Sequence, residues 1–474
     1  MTNSQQRLSV SQIAESRLPC LAAALLLALV SPMYARQSPS GQSDPAIAQA
    51  APRPLAGKLS LREAIAIALK NNVSVRVAGS QVDELSGTQV RRRSALEPRI
   101  TSDAVAKIQD TNLRAIGFSF PGFEIPLTTG GFGTYDFRVF GRQSILDRQA
   151  YHSYQSSKRQ LDAAKLTYQD MRDLVIRQAA GYYLDGQAAA AEVEAAEARV
   201  VTSRALEKLA QDQHTAGLAT RVDVLRAQVQ LQRDQQTLLV ARDSYQTALL
   251  VLQRFLGLQP GAPLELADRL EFRSFSAPEA EPALRAALEA RADYRSLRAQ
   301  REALVELSKA SRARYLPTLS INGDYGPFGR DFGQMPAIGQ IAGTVSFTLF
   351  DRDRSGEQRE ISSQLQRVDA QIADLERGIE QDLRKALLDL DSAAQQVAVT
   401  QAGVDLAANE LKLSEDRFRS GVTDNIEVIT AQSSLQSAQD DHISALARHA
   451  DARMALARAL GATEQIYENY LGSK

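Results

Sequence analysis

The chain has 474 residues, 44 % of them hydrophobic, enough for about three ordinary domains and for a sizeable buried core. Its 55 basic residues are balanced by 56 acidic ones, a net charge of -1, so it lacks the electrostatic footprint of a nucleic-acid-binding protein. A single cysteine (Cys20), no tryptophan and 4 histidines exclude a disulfide scaffold and leave little for zinc or thiol chemistry.

Residues 1–35 read as a secretory signal peptide: Arg7 and Arg17 precede an apolar run from Cys20 to Val30, followed by Ser31, Pro32 and Ala35. That run is shorter than the about 20 residues of a membrane-spanning helix. A lipoprotein reading of Cys20 is weaker, because Arg17, Leu18 and Pro19 are not the small residues of a lipid-attachment box and the apolar run follows the cysteine. Residues 36–58, rich in Pro, Ser, Gln and Ala, read as a disordered leader.

Two stretches, 127–259 and 337–474, contain no proline and are rich in Ala, Leu, Gln, Glu and Arg, which favour helix. They predict very long helices at about 148–215 and 354–419, each extending about 100 Å at 1.5 Å per residue. The two halves of the chain also match each other. HTAGLATRVDVLRAQVQL (214–231) aligns without gaps on FRSGVTDNIEVITAQSSL (418–435) at an offset of 204, and Leu146-Asp147-Arg148 faces Phe350-Asp351-Arg352 at the same offset. Earlier in the chain the offset is 219, setting Pro98 against Pro317, and the difference falls in the loops 110–133 and 327–339.

Each half therefore reads helix, strand, loop, strand, very long helix, tight turn, helix. Ile361, Leu365, Val368, Ile372, Leu375 and Ile379 alternate spacings of 4 and 3, a coiled-coil seam. In the first half the seam runs through positions 224, 228, 231, 235, 238, 242, 245, 249, 252 and 256, with Gln228, Gln235 and Arg242 as polar interruptions. Four segments alternate with period 2, at about 98–109, 134–146, 317–326 and 340–350. In the second, Tyr135, Phe137, Val139, Gly141 and Ile145 oppose Asp136, Arg138, Arg142 and Ser144, with Phe140 as the exception. Such strands fit a lipid-facing barrel around a watery lumen or a half-buried soluble sheet. Four strands cannot close a watery barrel, so the membrane reading requires several chains to share one.

These features together resemble the TolC-like outer-membrane efflux proteins over about residues 59–464. The likeness rests on the paired turns AGLATRVDVLRAQ and SGVTDNIEVITAQ, the strand ends SILDR and TLFDR, Pro98 and Pro317, and the Leu-Gly pairs at 256 and 460. It implies a mainly α fold with a membrane β-barrel, made of two tandem repeats (59–257 and 281–464) joined by an equatorial segment 258–280 and closed by a tail 465–474. It implies a homotrimer whose chains share a twelve-stranded barrel in outer-membrane lipid and a coiled-coil helical tunnel in the periplasm. Its partners would be a periplasmic adaptor and an inner-membrane pump of a tripartite efflux or type I secretion system.

The resemblance further implies that the two helical turns are the periplasmic tips, with Gly217, Leu218, Thr220, Gly421, Val422 and Asp424 meeting the adaptor. It places Asp223, Glu427 and Thr430 at the aperture. Thr430 stands where a second acid can occur, Thr423 where a basic residue can follow the glycine, and Phe418 where a tyrosine can bond across the tip. Simpler readings exist for the same residues. Thr220 to Asp223 and Asp424 to Glu427 both have capping-box spacing, and Gly217 and Gly421 fit left-handed helix ends. His442 and His449, seven apart, fit seam positions and not the i, i+4 spacing of a helical metal site. No nucleophile with a base, carboxylate pair or phosphate loop emerges, so the expectation is no enzyme activity, no cofactor and no metal. The competing reading is a soluble periplasmic coiled-coil adaptor or binding protein.

Overall fold

The computed structural model describes residues 58–464 apart from 114, 116, 118–121, 123–126, 332, 333 and 462. The expected signal peptide with Cys20, the leader up to residue 57, the tail and parts of both strand-connecting loops lie outside the described residues. In chain order the elements are β1 (Lys58–Leu59), α1 (Leu61–Asn71), α2 (Val73–Arg93), β2 (Arg99–Gln109), β3 (Phe132–Leu146), α3 (Arg148–Thr215), α4 (Arg221–Phe255), β4 (Glu265–Leu266), α5 (Ala280–Ala290), α6 (Ala292–Ala313), β5 (Thr318–Gly329), β6 (Ala337–Ser346), α7 (Asp353–Arg419) and α8 (Asn425–Ala459).

Where one helix is expected at the start of each half, there are two. Asn72, with an extended ψ of 131°, ends α1 and caps α2, its side-chain oxygen accepting the Ser74 N–H at 2.9 Å. Arg291, with an extended ψ of 122°, divides α5 from α6 at the matching place, without a side-chain cap. The longest elements are α3 with 68 residues, which follows β3 after the single residue Asp147, and α7 with 67, which follows β6 after a short connection. Asp147 of the SILDR motif starts α3 by accepting the Ala150 N–H at 2.8 Å. Its counterpart Asp351 accepts the Asp353 N–H at 3.1 Å and pairs with Arg314 at 2.9 Å.

Leucine and isoleucine at seam spacing bury one stripe of each long helix, at about 1.5–3 kcal/mol per fully buried side chain. On α7 the stripe runs through Ile361, Val368, Ile379, Leu383 and Leu390, with Leu365, Ile372 and Leu375 half-buried. On α4 the seam shifts by one residue, burying Asp234 and Ala241 in place of the expected Gln235 and Arg242. Asp234 is satisfied there by the Ser203 hydroxyl and the Gln230 amide, while Arg242 stays at the surface and pairs with Glu197 at 2.7 Å. Burying Arg242 instead would strand a charge without a partner. The main core gathers Ile65, Val175, Ile176, Tyr183, Leu252 and Met454 around the short parallel pair β1 and β4. The Tyr183 hydroxyl ties that pair in, bonding the Leu59 carbonyl at 2.8 Å and Asp268 at 2.9 Å.

β2, β3, β5 and β6 form one antiparallel sheet in that order, so β2 and β6 are its edges and neither has a second neighbour among the described residues. β6 ends at Ser346, four residues short of the expected 350. Ser346 pairs with Thr318, and the next residue along β5 is Pro317, which has no N–H to continue the ladder. A register shift between Ser144 and Leu146 makes Ile145 an extra, bulged residue.

The register sorts the side chains. Arg99, Asp103, Lys107, Asp136, Arg138, Arg142 and Asp324 share one face, and the opposite face of the four strands carries no charge. On that uncharged face Ile108 is 85 % and Ile341 86 % exposed. Phe140 falls on the charged face by its place in the alternation, opposite Thr101 and Asp324, and there the Arg138 guanidinium covers its ring, 5.3 Å from the centroid.

Candidate functional site

The turns joining α3 to α4 and α7 to α8 have one construction. At the first, Gly217 (φ +74°) bonds its N–H to the His214 carbonyl at 3.0 Å and Leu218 bonds back to Gln213 at 2.8 Å. At the second, Gly421 (φ +70°) bonds to Phe418 at 3.0 Å and Val422 to Arg417 at 3.0 Å. Both are Schellman ends, in which a left-handed glycine satisfies the last free carbonyls. An added Cβ would meet nothing within 4 Å at either glycine, so only the backbone angle demands glycine here.

The helix starts differ. Thr220 and Asp223 form a full capping box: the Thr220 hydroxyl accepts the Asp223 N–H, and the Asp223 carboxylate takes the Thr220 N–H at 2.9 Å and its hydroxyl at 2.6 Å. Asp424 caps α8 alone, accepting the Ile426 N–H at 3.2 Å. The second capping box expected from the spacing is absent. Glu427 instead accepts the Thr423 hydroxyl at 2.6 Å and lies 3.4 Å from the Arg417 guanidinium.

Asp223 and Glu427 thus sit in different surroundings. Asp223 is buried, and burial opposes its ionised form. The Thr220 hydroxyl, the Thr220 N–H and Arg226 at 3.5 Å outweigh this and hold its carboxyl below the ordinary aspartate value. The Glu427 side chain is 39 % exposed, and Thr430 one turn further along α8 is exposed. Leu218 and Val422 project from the turns, 73 % and 69 % exposed.

Behind the turns Leu206, Ala210, Val224, Ala227, Phe418 and Val428 close a small apolar core between the two hairpins. Phe418, without a hydroxyl to bond across the turn, contributes packing instead. Two polar residues that the sequence did not single out lock the hairpins together. The Gln213 amide donates to the Phe418 carbonyl at 3.0 Å, and the fully buried Asn425 donates to the Asp223 carbonyl at 2.6 Å. At the repeat offset of 204 their counterparts are Arg417 and Arg221, so comparison of the halves could not have found them. Among the described residues no cluster of three His, Cys, Asp or Glu side chains can hold a metal ion. No helix among them is long and apolar enough to cross a membrane, which says nothing of a barrel.

The sequence profile of a family described as outer membrane efflux protein matches residues 64–258 and 283–462. The chain belongs to the outer membrane efflux protein family. Members of this family lie in the cell outer membrane with a helical part in the periplasm, and that is the location of this chain. It is 24 % identical over 439 residues to the toluene efflux pump outer membrane protein TtgC of Pseudomonas putida, covering 90 % of this chain and 87 % of TtgC. It is also 24 % identical over 315 residues to the alkaline protease secretion protein AprF of Pseudomonas aeruginosa, covering 63 % of this chain and 64 % of AprF. The fold matches the Campylobacter jejuni CmeC outer membrane channel with a TM-score of 0.74 at 15 % identity, over 87 % of this chain and 90 % of that one. These relatives are transport proteins, not enzymes.

Proposed function

We propose that three copies of this chain form a passive exit duct of a tripartite efflux or type I secretion system. The duct carries substrates from an inner-membrane pump and its periplasmic adaptor across the periplasm and the outer membrane. The observation that carries this reading is the four-stranded sheet with two open edges, an exposed apolar face and all its charges on the other face. Open edges leave backbone N–H and C=O groups that lipid cannot satisfy, and three such sheets of four strands joined edge to edge remove every edge. The apolar face then meets lipid and the charged face lines water. The halves act as two tandem repeats, 59–257 and 281–464, and 258–280 belongs to the belt around the tunnel. TtgC is named for efflux and AprF for protease secretion, and both uses need only a duct.

Within this reading the turns are the periplasmic tips. Gly217, Thr220, Gly421 and Asp424 hold them in shape while Leu218 and Val422 offer apolar contacts to the adaptor. Glu427, Asp223 and Thr430 face the aperture, with Glu427 supplying its exposed charge. Replacing Leu218 and Val422 together by Asp tests the arrangement in cells. Export should fail while the protein still requires detergent for release from outer-membrane fractions. Release of the unaltered protein by a carbonate wash would instead mark a soluble adaptor.

A further inference from the structure

We propose that the base of the barrel carries an anion-binding ring, made by Arg99 and Arg142 of each chain, that takes the carboxylate, phosphate or sulfonate groups of anionic substrates in passage. This rests on the three-chain barrel of the preceding reading. Arg99 and Arg142 are directly opposite in the register of β2 and β3, on the charged face. Side chains so placed have Cβ atoms about 4.5–5.5 Å apart, and like charges at that separation destabilise a sheet unless something neutralises them.

No carboxylate among the described residues does so. Neither arginine has an ion pair among the described residues, and the acids around them are otherwise engaged. Asp136 and Asp324 are taken by Arg138 at 2.6 and 2.8 Å, and Glu97 by Arg93 at 2.8 Å. Asp103, on the same strand as Arg99 and the same face, is four residues away, about 13 Å at 3.3 Å per residue. The two guanidiniums are exposed and border an open depression of about 450 Å³ with Thr101, Asn322 and Gln340, where Asp324 keeps its bond to Arg138.

Position gives the pair its use. Arg99 opens β2 just after α2, and Arg142 lies near the end of β3 just before α3, so both stand where the helices meet the sheet. In a three-chain barrel they become six guanidiniums around the lumen at its periplasmic mouth. Each is a planar fork suited to bidentate capture of a carboxylate or phosphate. A solute leaving the tunnel passes the carboxylates of the tips first and this cationic ring second.

Tripolyphosphate block of single-channel current in planar bilayers is the test, using the full-length mature protein at low salt. The unaltered channel should be blocked reversibly, and the Arg99→Gln/Arg142→Gln variant should need about tenfold more tripolyphosphate or greater for half-block. The single variants should fall between, and Arg99→Lys/Arg142→Lys should retain most of the block. At about 1 M salt, where the screening length is about 3 Å, the difference should vanish. Equal block of the unaltered and doubly substituted channels, or open channels with no block in either, overturns the ring and leaves the barrel standing. Failure of the unaltered protein to form any channel overturns the barrel, and the ring with it.

Discussion

Asp173 on α3 and Asp223 on α4 are both buried carboxylates, yet their surroundings push them in opposite directions. At Asp223 the capping bonds win. At Asp173 burial wins: the Glu464 N–H at 3.0 Å and Arg458 at 3.9 Å return too little, Glu464 and Asp170 add repulsion, and the carboxyl is pushed up to about 6. The ordinary value is 3.8, so between about 4 and 6 the folded chain holds a proton that the unfolded chain has lost. This contribution to stability is complete below that window and is lost as pH rises through it. The Asp173→Asn variant keeps an acceptor for the Glu464 N–H without the charge, and should gain on the order of 1–3 kcal/mol at about pH 7.5. The gain should shrink below about pH 5, as read by thermal melting of the detergent-solubilised protein. An equal gain at both pH values would mean that the charge of Asp173 is not what limits stability.

At the scale of elements, the tips separate capping from charge. Glu427→Gln removes an exposed carboxylate and an exposed pair with Arg417, so the fold should be unaffected while cation selectivity falls. Asp223→Asn should do the reverse: its carboxylate is committed to the start of α4, and losing the charge there costs about 0.3–1 kcal/mol with a smaller change in selectivity. Reversal potentials at about 0.01 M salt, where the screening length is about 30 Å, should rank the variants in that order. Equal shifts would place both carboxylates alike in the pore. Gly421→Val meets no atom within 4 Å and strains only the backbone, by about 1–2 kcal/mol or more for a branched residue. It should impair export more than the amount of outer-membrane trimer, assayed by drug sensitivity beside heat-modifiable trimer on gels. Equal loss of both would mean that Gly421 serves folding alone.

The same elements mark what a sequence reveals. Proline-free runs and heptad spacing make α3 and α7 readable, because helix propensity and a continuous buried stripe agree over more than sixty residues. Period-2 alternation fixes which strand residues share a face, since side chains alternate whatever the partner strand is. The breaks at Asn72 and Arg291 are less legible, being set by one extended residue inside otherwise helical segments. The slip from Gln235 to Asp234 depends on Ser203 across the hairpin, and the Asn425 lock depends on a carbonyl in the other hairpin. Such contacts join residues far apart in sequence, and one was further hidden by an Asp-x-x-Glu spacing that imitates a capping box without forming one.

For the whole molecule, the exposed apolar residues fall on the outside of a single chain at both levels of the structure. Ile108, Ile341 and Val345 stand on the sheet, and Val201, Leu239, Val399 and Leu406 on the long helices. A three-chain duct gives each set a destination: lipid for the first, neighbouring copies for the second. It also pairs the open edge of β6 with β2 of the next chain. Native mass spectrometry of the protein extracted from outer membranes in detergent tests this most directly. A duct of shared strands requires a complex of three mature chains that persists until the sheet itself is denatured. A monodisperse single chain with full secondary structure would contradict it.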